Sequence, residues 1–310
     1  MASDAARQRY RAFVASLSGT ALEYYDFAVY SSAAALIFGQ LYFAEGDPLN
    51  GTLKAFATYA VGYLARPIGG IVFGRLGDIL GRKTVLVYTL LLVGVSTVLI
   101  GILPTYAQIG AAAPTMLVLL RFAQGVGVGG EWGGAVLLST EFGRDEERGF
   151  WASAAQVGPP LGMLLANGVL AALALTLSEE AFFAWGWRVA FLLSALLVVF
   201  GLWLRSALEE TPAFRKLDES GEKSAAPVAE VLATQRRGLL AAILARLGPD
   251  VLYAMFAVFI LTYATQSVGM SRGEAVTAVL IGSAFQVPLI PFAGFLSDRL
   301  GRKRLYACGA

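Results

Sequence analysis

Runs of about 20 mostly apolar residues recur along the chain, separated by short polar connections that carry Gly, Pro or charge. That length is what an α-helix needs to cross the hydrocarbon core of a bilayer. The pattern predicts eight spans, near 12–38, 54–77, 84–103, 115–138, 150–176, 186–206, 239–265 and 274–296. A backbone facing lipid must satisfy its own hydrogen bonds, and these segments are too long and too evenly apolar for barrel strands. The predicted fold class is therefore all-α, a polytopic membrane helical bundle. Composition agrees: 57% of residues are hydrophobic and 15% charged, with a mean hydropathy of +0.64. Soluble domains carry about 25% charged residues, so a soluble protein with buried helices would lack polar surface.

Charge adds orientation. Arg7, Arg9 and Arg11 precede the first span, and Arg75, Arg82 and Lys83 follow the second. Arg144 and Arg148 follow the fourth, a basic group from Arg205 to Arg237 follows the sixth, and Arg299 to Arg304 follow the eighth. The opposite connections hold only Lys54, Arg188 and Arg272 among acidic residues such as Glu45 and Glu179. Basic loops stay in the cytoplasm, which predicts a multi-pass inner (plasma) membrane protein with a cytoplasmic N-terminus. The short basic start runs into a span containing Glu23 and Asp26 with no small-residue cleavage site, so it reads as a retained span and not a signal peptide. The connection 207–237 is the one long loop, and its "EETPAFRKLDESGEKSAAPVAE" has the character of a solvated linker. It divides the chain into residues 1–206, a six-helix half; 207–237, the cytoplasmic linker; and 238–310, the start of a second half.

A repeat supports that division. "GRLGDILGRK" (Gly74 to Lys83) closes span two, and "GFLSDRLGRK" (Gly294 to Lys303) closes span eight. The two share Gly74 and Gly294, Asp78 and Asp298, Gly81 and Gly301, Arg82 and Arg302, and Lys83 and Lys303. Six spans lie between matching points, so a six-helix unit is duplicated. Duplicated six-span halves are a transporter architecture, with the substrate site between the halves near mid-membrane. The second copy stops seven residues after its decapeptide, which predicts a chain truncated after the eighth of twelve spans.

Some chemistry is excluded. Cys308 is the single cysteine and there is no histidine. An intrachain disulfide is ruled out, and a metal site of the His or Cys type is not expected. No nucleophile–base set suggests an enzyme, and no cofactor is expected beyond a proton gradient. The "GxGxxG"-like glycines of span four follow no strand and are not a nucleotide loop.

Ionisable residues inside spans are costly, roughly 2.5–3.5 kcal/mol each at mid-bilayer, and mark function by default. Seven are expected there: Glu23, Asp26, Arg66, Arg121, Glu131, Arg246 and Asp250. Glu23 and Asp26, three apart, share a helical face with Phe27 and Tyr30. Two carboxylates held together away from water favour proton exchange near neutrality, without histidine. One of them could instead pair structurally with an arginine. Arg66, before Pro67, could meet a substrate carboxylate or neutralise Glu23 or Asp26. Glu131, ten residues after Arg121, faces another way and carries either a substrate or proton role or a bond that locks spans. Gly125, Gly129 and Gly133 form a stripe for close helix packing. Arg246 and Asp250, four apart, can pair with each other. "VGPPLG" (157–162) reads as a kink. Asp78 and Asp298 sit where a carboxylate can meet a helix N-terminus.

The decapeptides resemble the loop signature of the major facilitator superfamily, G-x-L-x-D-x-x-G-R-K. "GTALEYYDFAVY" (19–30), "ARPIGGIVFGRLGD" (65–78), "ILPTYAQIGAAAPTMLVLLRFAQGVGVGGEWGGAVLLSTE" (102–141) and "WGWRVAFLLSALLVVFGLWLRSALEETPAF" (185–214) resemble its metabolite:proton symporter branch, which includes permeases for shikimate, α-ketoglutarate, citrate and proline/betaine. Tyr24 stands where that branch usually has Trp. The resemblance implies the six-plus-six major facilitator fold, with its second half incomplete here. It implies proton-coupled symport of a small carboxylate or zwitterion, with protons and the bilayer as the other partners. No nucleic acid is expected, and the protein is expected to be a monomer. The alternatives are an uncoupled facilitator or exchanger of the same fold, or an inactive fragment. Related sugar–proton symporters imply that Asp26 pairs with Arg121 when unprotonated. Glu23, Tyr24, Asp26, Tyr30, Arg66, Arg121, Gln124, Glu131 and Trp132 form the expected proton and substrate set. The decapeptides are implied to be gates that hold the cytoplasmic side shut, with Asp78's partner in a span beyond the eighth.

Overall fold

The structure, a computed structural model, describes residues 2–43, 48–142, 144–206 and 232–309. Every regular element among the described residues is helical. α1 (Ala2–Ala33) continues through a π-helical turn at Ala34–Phe38 into Gly39–Tyr42. α2 (Pro48–Leu80), α3 (Arg82–Ile102), α4 (Ala112–Phe142) and α5 (Arg148–Thr176) follow. α6 (Glu179–Ser206) and α7 (Arg236–Gln266) each contain a π turn, at Phe182–Gly186 and Ala254–Phe259. α8 (Arg272–Leu300) leads into the short α9 (Arg302–Gly309). The expected linker falls mostly at 207–231, outside the described residues.

Among the described residues, seven helices, α2 to α8, are long and apolar enough to cross a membrane, where eight spans were expected. The one that drops out is α1. It has length enough, at 32 residues, but Glu23 and Asp26 stand among serines and threonines in its middle. From Gly19 to Ala34 every residue is buried. Protein rather than lipid surrounds α1, so it needs no apolar outer face.

Packing follows the small residues. α1 lies along α5, α2 and α3 lie along α4, and α8 lies along α5. A Cβ placed on Gly125 or Gly129 would strike the backbone of Gly62 or Arg66 in α2. The expected stripe therefore packs α4 onto α2 at these two positions, while Gly133 lies outside the described side-chain positions. α5 stays helical through Pro159 and Pro160. Its Gly162 sits so close to α1 that an added Cβ would come 2.7 Å from the Ala21 carbonyl. Around α1, Tyr25, Tyr30, Phe38, Trp187 and Phe191 form the centre of the main apolar core. Arg188 donates to the carbonyls of Gly101 (2.9 Å) and Leu103 (2.7 Å), closing the C-terminal end of α3.

The decapeptides adopt the same local structure twice. Helices end at Leu80 and Leu300, and Gly81 and Gly301 follow with φ of 92° and 93°. New helices then start at Arg82 and Arg302. A positive φ of that size is accessible to glycine and strained for other residues, which explains why this glycine is repeated. Asp298 accepts hydrogen bonds from the backbone N–H groups of Gly149 (2.8 Å) and Phe150 (2.9 Å) at the start of α5. The expected meeting of carboxylate and helix N-terminus is present in the second copy. The side chains of Asp78 and Arg82 lie outside the described residues. Lys83 reaches the Ser206 carbonyl at 3.2 Å.

Candidate substrate and proton site

The intramembrane charges divide into three groups. The first surrounds Asp26. Asp26 is buried, and its Oδ1 accepts from the Ser194 hydroxyl of α6. Gln124 Nε2 donates to Thr97 at 2.5 Å, and Arg121 Nη1 donates to Gln124 Oε1 at 2.6 Å. Thr97 in turn donates to the Val93 carbonyl at 2.9 Å, so the expected Asp26–Arg121 ion pair is replaced by separate partners, Ser194 for Asp26 and Gln124 for Arg121. The reason lies in helix rotation. Phe27 and Tyr30 of α1 face α4, and the Arg121 guanidinium lies over their rings at 4.4 and 3.8 Å, with Tyr59 at 5.2 Å. Asp26, one position off that face, turns toward α6. Arg121 is fully buried, and its Nε and Nη2 have no hydrogen-bond partner.

The second group surrounds Glu131. Its Oε1 pairs with Arg205, and its Oε2 accepts from Thr89 at 2.7 Å. Arg205 also donates to the Leu86 carbonyl. This corrects the placing of Arg205 in the cytoplasmic loop. It lies at the end of α6 with 4% exposure, inside the bundle. Glu131 takes the alternative expected for it, a bond that locks spans, here α4 to α3 and α6. Gly19 of α1 is pressed against the pair, where a Cβ would meet Arg205 Nη2 at 2.8 Å and Glu131 Oε1 at 3.1 Å.

The third group lines a cavity. Glu23 is buried, 3% exposed, and its Oε2 has no hydrogen-bond partner. It feels the charges of Glu131, Arg66 and Arg205. The Arg66 guanidinium packs against the perpendicular rings of Phe27 (4.5 Å) and Tyr63 (4.1 Å), with Nε and Nη2 unpartnered. Arg66, Tyr24, Tyr63 and Gln156 line a chamber of about 160 Å³ together with Tyr253 of α7 and Gln286 of α8. Tyr24 meets Tyr253 edge to face at 6.1 Å. Arg246 and Asp250 also border the chamber and pair with each other at 2.9 Å, as their spacing predicts. Past Pro160, Pro249, Tyr253 and Gln286 the chamber adjoins a groove of about 660 Å³ that is mostly apolar, including Met163, Leu244 and Phe256.

Of the expected set, Tyr24 and Arg66 line the chamber. Tyr30, Arg121 and Gln124 group together, Asp26 bonds Ser194, Glu23 is buried within electrostatic range of Arg66, and Glu131 pairs with Arg205. The Trp132 side chain lies outside the described residues. The sequence reading missed Arg205, Thr97, Ser194 and the neutral polar lining. Arg205 alone had a visible signal, a charge inside the last turn of an apolar span.

The family profile described as Major Facilitator Superfamily matches residues 16–310. The chain is 41% identical over 300 residues to the inner membrane metabolite transport protein YhjE of Escherichia coli (strain K12), covering 96% of this chain and 68% of that protein. It is 40% identical to the shikimate transporter of the same organism, covering 96% and 69%. It is 38% identical to the glycine betaine/proline/ectoine/pipecolic acid transporter OusA of Dickeya dadantii (strain 3937), covering 97% and 62%. Among solved structures, the proton:xylose symporter XylE bound to 6-bromo-6-deoxy-D-glucose superposes with a TM-score of 0.72 at 20% identity. That superposition covers 96% of this chain and 71% of XylE, a likeness of fold.

Proposed function

Because the chain belongs to the Major Facilitator Superfamily, a family of membrane transporters, we propose that it is a proton-coupled symporter of a small organic acid or zwitterion in the inner (plasma) membrane, with its N-terminus in the cytoplasm. The observation that supports this most is the buried carboxylate of Glu23. One of its oxygens is without a hydrogen-bond partner, and it lies within electrostatic range of a chamber-lining cation, Arg66. A carboxylate left unpaired in the membrane is expensive as an anion and far less so as a neutral acid. Glu23 is therefore suited to carry a proton. Once ionised, it would be drawn to Arg66 and compete with an anionic substrate for it. Substrate and proton then favour each other's binding, which is the thermodynamic condition for coupling.

Asp26 is the second proton site. It bonds Ser194 of α6 and lies within range of the Arg121 charge, so a change of charge at Asp26 would be felt by both α6 and α4. The site lies at the seam between α1–α6 and α7–α8, where rocking of one half against the other would open it to alternate sides.

The test is uptake of a panel of labelled acids and zwitterions by the protein in proteoliposomes, with and without a proton uncoupler. Accumulation above the external concentration that collapses with the uncoupler is expected. Saturable uptake that equilibrates and ignores the uncoupler would replace this reading with an uncoupled facilitator.

A further inference from the structure

The Glu131–Arg205 pair ties α4 to α6, and α1 is pressed against it. The atom of Arg205 that bonds Glu131 is Nη2. Nη2 is also the atom nearest to where a Cβ of Gly19 would stand, at 2.8 Å, with Glu131 Oε1 at 3.1 Å from the same point. Any side chain at position 19 would push the pair away from α1. Glu23 is four residues further along α1 and so shares the face of Gly19. Helical side chains lean toward the N-terminus, so a residue covers the surface of the turn before its own. The surface in front of Glu23 is therefore the bare patch at Gly19, where the Arg205 guanidinium lies.

Electrostatics points the same way. Among the charges that act on Glu23, that of Glu131 is the largest, followed by Arg66 of α2, Arg205 of α6 and Asp26 of α1 itself. The other neighbours of this region are neutral: Thr89 of α3 on Glu131, Gly158 and Gly162 of α5 against α1, and Tyr253 of α7 against Tyr24. Two buried carboxylates thus stand in range of one guanidinium. Glu131 has both oxygens engaged, by Arg205 and Thr89, whereas Glu23 leaves Oε2 without a partner. Nη1 of Arg205 is held by the Leu86 carbonyl. The guanidinium can therefore turn Nη2 from Glu131 toward α1 and stay anchored, while Thr89 keeps its bond to Glu131.

We propose that Glu23 and Glu131 share Arg205: with Glu23 neutral the α4–α6 clamp is shut, and ionised Glu23 draws Nη2 away and loosens it. Arg205 is then a positioning residue for proton coupling, through which the proton on α1 governs how tightly α4 and α6 are joined. This rests on the reading of Glu23 as a proton carrier and adds the element that its proton moves.

The experiment is hydrogen–deuterium exchange of the purified protein in nanodiscs over a pH series, with Glu23→Gln beside the unaltered protein. Infrared spectra of the same samples follow the C=O band of protonated carboxyl groups. Part of that band is expected to be missing in Glu23→Gln, and in the unaltered protein that part should fade as the pH rises. Once it has faded, amides in the last turns of α6 should exchange about tenfold faster in the unaltered protein than in Glu23→Gln, the size expected for losing a hydrogen bond to a charged group. Before it fades the two should match. Comparing both proteins at one pH removes the intrinsic pH dependence of exchange. A second variant, Glu131→Gln, frees Arg205 and leaves Arg66 as it was, so it is expected to abolish the Glu23 part of the acid band. The first comparison does not depend on that variant folding. Equal exchange in the unaltered protein and Glu23→Gln at every pH, no Glu23-dependent band, or a Glu23 band that survives in folded Glu131→Gln would each overturn the proposal. Equal exchange together with uncoupler-sensitive accumulation would overturn this inference and leave symport standing. A clamp that loosens as expected, with uptake that ignores the uncoupler, would do the reverse.

Discussion

Glu131 and Arg205 are 3% and 4% exposed, and each answers the other's charge. Removing one partner of such a pair strands the other as an unpaired buried charge, at a cost of about 3–5 kcal/mol; replacing both with apolar residues often costs little. Glu131→Leu and Arg205→Met are therefore each expected to lower the thermal midpoint in detergent sharply, and the double variant to recover most of the loss. Additive losses in that cycle would show that the pair is not a lock. Asp26 has a different role. Asp26→Asn keeps an acceptor for Ser194 and so should fold, but it cannot take up a proton. The expected outcome is loss of uphill accumulation with exchange of internal for external substrate retained. Normal uphill uptake by this variant would remove Asp26 from the coupling path. These residues also show where sequence reading stopped. Which charges lie inside spans was legible for Glu23, Asp26, Arg66, Arg121 and Glu131, because an ionisable residue in an apolar run is conspicuous. Their partners were not legible. Whether Asp26 meets Arg121 or Ser194 depends on a rotation of α1 of about one residue, 100°, and no pattern within one helix fixes how it is turned against its neighbours. Arg205 was assigned to a loop because positive charge at a span end normally marks topology.

Among the elements, the lengths and order of α2 to α8 were legible from apolar runs, and the glycine stripe of α4 from its spacing. The burial of α1 was hidden, because its mixed composition resembles a poor span when judged by apolarity alone. The glycines make a graded test. An Ala at Gly129 would drive its Cβ into the Arg66 carbonyl, whereas the same Cβ at Gly168 meets nothing within 4 Å. Overpacking of this kind costs typically about 1–3 kcal/mol. Gly129→Ala is expected to lower the thermal midpoint by that measure and, by displacing Arg66, to weaken substrate binding as well. Gly168→Ala is expected to be neutral or slightly stabilising, since Ala is the better helix former. Equal effects of the two would show that α2 and α4 are not held at backbone contact.

For the whole molecule, the contact that matters most is the one joining the two repeated units at the end that carries the decapeptides. The duplication was legible from ten residues, and so was the chemistry of the contact, a carboxylate at a helix N-terminus. That Asp298 would cap α5 of the other unit was not, because the partner of a repeat motif is set by how the halves dock. Asp298 accepts two backbone N–H bonds from α5, and α8 approaches α5 so closely there that a Cβ on Gly294 would lie 2.6 Å from the Gly149 carbonyl. Parting of the two units at that end would break this contact, so it is expected to favour the closed arrangement. A carboxylate at a partly buried helix N-terminus is worth up to about 2 kcal/mol, and 1–2 kcal/mol is roughly a 5- to 30-fold change in an equilibrium. Asp298→Ala should therefore raise the open population by about that factor, and Asp298→Asn, which keeps one acceptor, by less. Ser153 is buried near Gly294 at this seam. In a Cys308→Ser background, a cysteine at position 153 should react faster with a membrane-impermeant thiol reagent when Asp298 is Ala. Substrate affinity should shift only by the change in population. Unchanged labelling at position 153 would mean that Asp298 positions α5 without governing closure.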